Sequence, residues 1–175
     1  ERKPASYFIE PMMERIESYY AEAGITRPNV VIEPGRSIVA EAGITLYTIG
    51  QIKDIKDIRK YVSVDGGMPD NPRYALYESP YTAVNASRAQ QETELLCSVV
   101  GRCCESGDIL QENVRIAPVQ RGDVIAVLTT GAYNYSMASN YNRLPRPALV
   151  ILNGEQNRIG IRRETFEDLV RCDEN

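Results

Sequence analysis

Between residues 8 and 23, "FIEPMMERIESYYAEA", apolar side chains recur at helical spacing, with Met12, Met13, Ile16, Tyr19 and Tyr20 marking the pattern. Gly24 follows where a helix C-terminus favours glycine. The pattern then shortens. Val30, Val31 and Ile32 form a continuous apolar run, which predicts a strand covered on both faces, as in a parallel sheet flanked by helices. Residues 1–42 therefore predict the closing helix and strand of an α/β layer.

From residue 43 the periodicity is that of strands. "GITLYTIGQIKDI" and "KYVSVDGG" are β-branched and partly alternating, with Gly66-Gly67 as a turn. "YTAVNASR" and "TELLCSVVG" predict further strands, and an apolar strand follows the turn at Arg121-Gly122-Asp123. "YSMASNYN" predicts one or two helical turns. "ALVILNGEQNRIGIRR" predicts a hairpin turning near Asn153-Gly154, and "ETFEDLVR" a short closing helix. The fold class is mainly β with short helices. It consists of an antiparallel β domain, sandwich- or barrel-like, over residues 43–175, with no internal repeat.

Composition narrows the function classes. Of 175 residues 43% are hydrophobic and 25% charged, the profile of a globular chain with a real core. A net charge of −4, with acids and bases interspersed, argues against a nucleic-acid surface. No apolar run reaches the roughly 18 residues of a membrane span, and the first ten lack a signal-peptide core. The absence of an initial Met leads us to expect a start inside a longer protein. Cysteines stand at 97, 103, 104 and 172, with neither CxxC spacing nor any histidine, so reduced thiols rather than a metal site or disulfide framework are expected.

Four short stretches carry candidate chemistry. In "VVIEPGR" a strand ends at Glu33, Pro34 stiffens the exit, Gly35 permits close backbone approach and Arg36 adds a cation suited to phosphate or carboxylate. In "DNPRYALYES" Arg73 and Tyr77 stand four residues apart, on one side of a helical turn. In "TTGAYNY" Tyr133 follows a strand end. In "CCESGD" the Cys104 thiol is a potential proton donor and Glu105 an acceptor for an ammonium group. Each of the first three also has an ordinary reading, respectively a turn with a surface Arg, a solvated Arg beside a half-buried Tyr, and a packed Tyr.

Taken in order, "EPGRSIVAEAG", "RYALY", "CCESGD" and "TGAYNYSMASNYN" resemble the pyridoxal-phosphate-dependent amino-acid decarboxylases with an alanine-racemase-like barrel and a β domain. They look most like the diaminopimelate branch, over roughly residues 10–152. In the ornithine branch an aspartate typically follows the cysteine, so Glu105 favours the diaminopimelate branch. The family often has Gly-Pro before the Cys-Glu-Ser, where this chain has Arg102-Cys103.

The resemblance implies a (β/α)8 barrel ending in this chain's first segment, pyridoxal 5'-phosphate as cofactor, and meso-diaminopimelate as substrate, converted to L-lysine and CO2. Glu33, Pro34, Gly35 and Arg36 would meet the cofactor phosphate. Arg36, Arg73 and Tyr77 would bind substrate, and Tyr133 would lie beside both. Cys104 would donate the proton and Glu105 read the distal amino group, both reaching into the partner's site in a cytoplasmic homodimer. The family's Schiff-base lysine and glycine-rich phosphate loop match nothing here, so the chain alone is expected to be inactive. An ornithine, arginine or carboxynorspermidine decarboxylase of the same fold, or a non-catalytic dimerisation module, are the alternatives.

Overall fold

The computed structural model of the protein describes residues 3–174 and divides into two compact units at Pro34/Gly35. In the first unit helix α1 spans Ala5–Glu22, starting one turn earlier than the apolar pattern predicts and accommodating Pro11. Ile9, Met13, Ile16 and Tyr20 recur along one half-buried face. The strand predicted at Val30–Ile32 is not formed: residues 26–35 carry no regular structure, and Val31 is 84% exposed. An apolar run becomes a strand only where neighbouring strands take its N–H and C=O groups, and this unit's described residues include no other strand.

The second unit is built on strands β1 (Ile44–Ile55), β2 (Arg59–Val64), β3 (Ala83–Asn85), β4 (Leu95–Val100), β5 (Ile109–Ile116) and β6 (Val124–Leu128). They form one sheet in the order β3-β6-β1-β2-β4-β5. The long β1 serves two neighbours, pairing with β6 through its first half and with β2 through its second, with a bulge between Ile49 and Ile52. One pairing departs from an all-antiparallel domain: β2 and β4 run parallel, Tyr61 beside Ser98. The edge strands β3 and β5 approach each other, so the sheet curls into a nearly closed barrel. At the seam the backbone N–H of Tyr81 donates to the Gln111 side chain at 2.8 Å.

The period-2 pattern explains the core. Tyr47 and Ile49, Val62 and Val64, Cys97 and Val99, and Ile125 and Val127 alternate inward and are joined by Leu110 and Ile116. Burial of each such aliphatic side chain contributes about 1.5–3 kcal/mol. Strand β5 has no counterpart in the sequence reading, because Gln111, Glu112 and Asn113 interrupt its apolar pattern. Gln111 is nonetheless buried, and Asn113 takes a positive φ of 51° where the β4–β5 register shifts. Helix α2 (Arg73–Tyr77) forms as expected, as do two helical turns at Tyr135–Met137 and Tyr141–Arg143.

Strands β7 (Leu149–Asn153) and β8 (Gln156–Ile161) form the expected hairpin, and α3 (Phe166–Val170) closes the chain with a Thr165–Asp168 capping box. At the hairpin base the Glu164 carboxylate accepts from the Arg146 backbone N–H and Nε, each at 2.8 Å, and from Asn140 Nδ2 at 2.6 Å. The Arg146 guanidinium hydrogen bond, foremost among these, holds the Glu164 carboxyl down to about 2 against an ordinary 4.5. A depressed acid stabilises the fold above its unfolded-state value and loses that contribution as pH falls through its folded value. The protection of amides at residues 140–146 and 161–164, taken relative to the intrinsic exchange rate at each pH, should therefore fall as pH drops from 4.5 toward about 2. In Glu164→Gln exchange there should be fast at neutral pH and show no such step, as read by hydrogen-exchange mass spectrometry.

Candidate active site

Strand register collects one set of loops at a single end of the curled sheet. Ile44, opening β1, faces Leu128, closing β6. Val64, closing β2, faces Ile49, and the adjoining Ser63 lies beside Val100, the last residue of β4. Val100 faces Ile109, and Ala83, opening β3, faces Val127. Gly35, Arg36, Arg73, Tyr77, Cys104, Glu105 and Tyr133 all lie in segments entering or leaving this end. Glu33 and Pro34 belong to the first unit.

Two of these residues, Arg36 and Arg73, meet at Tyr81, which is 9% exposed. The Tyr81 hydroxyl donates to Asn134 Oδ1 at 2.8 Å and accepts from Arg36 Nη1 at 3.4 Å. The Arg73 guanidinium lies 5.0 Å from the centre of the same ring. Arg36 also donates to the Ala132 carbonyl at 3.1 Å and sits 5.2 Å from the Tyr133 ring centre. Tyr133 has a φ of 71°, a left-handed conformation that costs a bulky residue about 1–3 kcal/mol. A Cβ at Gly35 would collide with the Tyr133 hydroxyl, so a larger residue there would displace that side chain.

Two half-buried guanidiniums thus share one phenol, and among the described residues no carboxylate pairs with either of them. Arg73 Nη2 donates to Ser79 Oγ at 2.5 Å, while its buried Nε and the Nδ2 of Asn134 have no hydrogen-bond partner. Paired cations with unsatisfied donors attract an anion. Tyr77 shares α2 with Arg73 but is 64% exposed.

Cys104 and Glu105 occupy the β4–β5 turn, both exposed, and their hydrogen bonds do not reach the Tyr81 cluster. The Cys104 amide donates to Asn142 Oδ1 at 2.8 Å, and Glu105 bonds within its own turn. Cys103 differs from its neighbour, since burial first and then the Asp108 charge push its thiol up to about 12. Tyr81, Gln111, Asn134 and Asn142 escape sequence reasoning. A tyrosine in a strand-like run and scattered amides carry no local signal of convergence.

Among the described residues no group of His, Cys, Asp or Glu is placed to hold a metal ion, and no helix is long and apolar enough to cross a membrane. The four cysteines are free thiols.

The family model of the pyridoxal-dependent decarboxylases, C-terminal sheet domain, matches residues 16–131. This chain belongs to that family. Diaminopimelate decarboxylase of Bacillus subtilis (strain 168) is 45% identical over 169 residues, covering 97% of this chain and 38% of that protein. The Synechocystis enzyme of the same name is 48% identical over 149 residues, covering 85% of this chain and 32% of its own length. The crystal structure of M. jannaschii diaminopimelate decarboxylase with L-lysine superposes with a TM-score of 0.78 at 35% identity, over 91% of this chain and 36% of that one. The chain therefore spans well under half the length of the relatives it matches.

For a pyridoxal-dependent family the donor set is chemically apt. A phosphate calls for a fixed cation and close backbone approach, and Arg36 and Gly35 offer both. The orphaned donors on Arg73 and Asn134 suit further anionic oxygen.

The two adjacent thiols yield a direct check on the turn's geometry. With limiting iodoacetamide at pH 8, exposed Cys104 and Cys172 should be alkylated well before Cys103 and Cys97, whose thiols burial raises to about 12 and about 11. Peptide mass spectrometry reads the order. Equal rates at Cys103 and Cys104 would contradict it.

Proposed function

We propose that this chain is the carboxyl-terminal part of a pyridoxal-phosphate-dependent decarboxylase converting meso-2,6-diaminopimelate to L-lysine and CO2. The carrying observation is that Arg36 and Arg73 both meet Tyr81, one at its hydroxyl and the other against its ring. Diaminopimelate presents two carboxylates, and an amino acid lacking the distal one would leave a guanidinium unpaired in a half-buried site. The names of the relatives, and the L-lysine in the M. jannaschii crystal structure, support the same substrate.

In this reading Glu33, Pro34, Gly35 and Arg36 form the phosphate end of the cofactor site, and residues 1–42 close the barrel that carries it. Tyr133, with its strained backbone, stands beside cofactor and substrate. Arg36, Arg73 and Tyr77 hold the non-reacting carboxylate, and Glu105 pairs with the distal ammonium. Bound pyridoxal phosphate supplies the sink for the electron pair left when the C–CO2 bond breaks. The Cys104 thiol delivers a proton to that carbon, and solvent restores the thiol. The protein is a cytoplasmic homodimer, each Cys104–Glu105 turn serving its partner's site. Exposure of that turn and its lack of bonds to the Tyr81 cluster of its own chain support the sharing.

Arg73→Ala in the full-length enzyme removes a charged hydrogen bond contributing about 1.5–3 kcal/mol. kcat/KM for diaminopimelate should fall roughly ten- to a hundredfold. A value within about twofold of wild type would make Arg73 a bystander.

Sharing is tested by mixing two inactive full-length variants, one without the cofactor lysine and one carrying Cys104→Ala with Glu105→Ala. Random exchange makes half the dimers hybrid, each with one intact site, so activity should return to about a quarter of wild type per total site. No recovery after demonstrated exchange would mean that the turn serves its own subunit, or only the fold.

A further inference from the structure

The β4–β5 turn carries a buried acid with no part in the chemistry above. Asp108 is 4% exposed. Its Oδ2 accepts from the Cys103 amide at 2.7 Å, inside the turn, and its Oδ1 from the Met68 amide at 2.6 Å, in the neighbouring 65–70 loop. The backbone closes the same unit: Gly101 N–H donates to Asp108 O at 2.8 Å, and Asp108 N–H to Glu105 O at 3.1 Å. Arg102 N–H donates to Gly66 O at 3.1 Å, joining turn to loop a second time.

Space around the carboxylate is fully used, since a Cβ at either Gly67 or Gly101 would collide with it. The loop it grips is held in turn by Asp70, which accepts from Gly67 N–H at 3.0 Å and from the Tyr47 hydroxyl at 2.5 Å. Tyr47 is a core residue of β1. A chain of contacts therefore runs from the core through Asp70 and the 65–70 loop to Asp108, and ends one residue before Cys104.

We infer that Asp108 is the positioning residue of the Cys104–Glu105 turn: it locks the turn to the 65–70 loop so that thiol and carboxylate are presented in one fixed geometry. The inference rests on the proposed role of that turn and adds a residue to it. Asp108 is buried against backbone amides. It acts by consuming two backbone donors that would otherwise leave the turn free to re-register. Asparagine keeps one acceptor oxygen but turns an NH2 toward the other amide. Alanine keeps neither. Glutamate is too long for the space between Gly67 and Gly101.

The test uses the full-length protein with Asp108→Ala, Asp108→Asn and Asp108→Glu, followed by hydrogen-exchange mass spectrometry and steady-state kinetics. In Asp108→Ala, exchange should rise by roughly tenfold or more across 101–108 while β4 and β1 stay protected, the signature of local rather than global opening. kcat should fall with the displaced thiol and KM for diaminopimelate should rise with the displaced carboxylate. Asn should fall between wild type and Ala in both readouts, and Glu should not rescue. Wild-type exchange at 101–108 in Asp108→Ala, or equal acceleration in β4 and β1, would overturn the inference. Local opening with unchanged turnover would uphold Asp108 as the holder of the turn and overturn instead the roles proposed for Cys104 and Glu105. Should Ala fail to fold, Asn against wild type makes the same comparison.

Discussion

One hydrogen bond, donated by the Tyr81 backbone N–H to the Gln111 side-chain oxygen, sits where the curled sheet meets itself. Left open, β3 and β5 would be two unpaired edges, and the core between them would stand in water. With the seam shut, Tyr81 is immobilised just ahead of β3, its ring inward and its hydroxyl on Asn134. That fixed phenol then sets the separation of Arg36 and Arg73, which come from segments with no local tie to each other. The seam residue is thus also the hub of the cationic cluster.

Bringing two guanidiniums to one phenol, Arg36 at its hydroxyl and Arg73 against its ring, is electrostatically unfavourable unless something offsets it. The Ala132 carbonyl, the Ser79 hydroxyl and the faces of Tyr81 and Tyr133 do so in part. The buried Nε of Arg73 remains unmatched, and Tyr133 holds a left-handed backbone to lie over Arg36. Unsatisfied donors and a strained backbone thus gather at one end of the barrel, beside the two guanidiniums.

At the same end the buried Asp108 carboxylate joins the polar 65–70 and 101–108 turns, and the half-buried Asp70 ties the first of them to Tyr47. Burial foremost raises the Asp70 carboxyl above its ordinary value, while its Tyr47 hydrogen bond acts the other way. Such groups are tolerated because their oxygens meet backbone amides or a core hydroxyl. The result is a rigid base under an exposed pair, Cys104 and Glu105.

Periodicity alone determined the first helix, the β-rich body, the terminal hairpin and the closing helix, because these depend on residues within a few positions of one another. The ordered motifs also determined the chemical types available, since a guanidinium, thiol or carboxylate keeps its chemistry in any fold. Tertiary structure decided the rest. The apolar run at Val30–Ile32 forms no strand where no neighbour pairs with it, while the polar-interrupted β5 forms one because β4 and the Tyr81 segment take up its groups. Arg36 meets Ala132 across 96 positions and Tyr81 meets Asn134 across 53, distances over which no spacing rule operates. "CCESGD" reads locally as one reactive cluster. The fold divides it, burying Asp108 on backbone amides, lifting the Cys103 thiol out of reach and leaving Cys104 and Glu105 exposed, because burial is settled by what packs against a residue and not by the residues beside it.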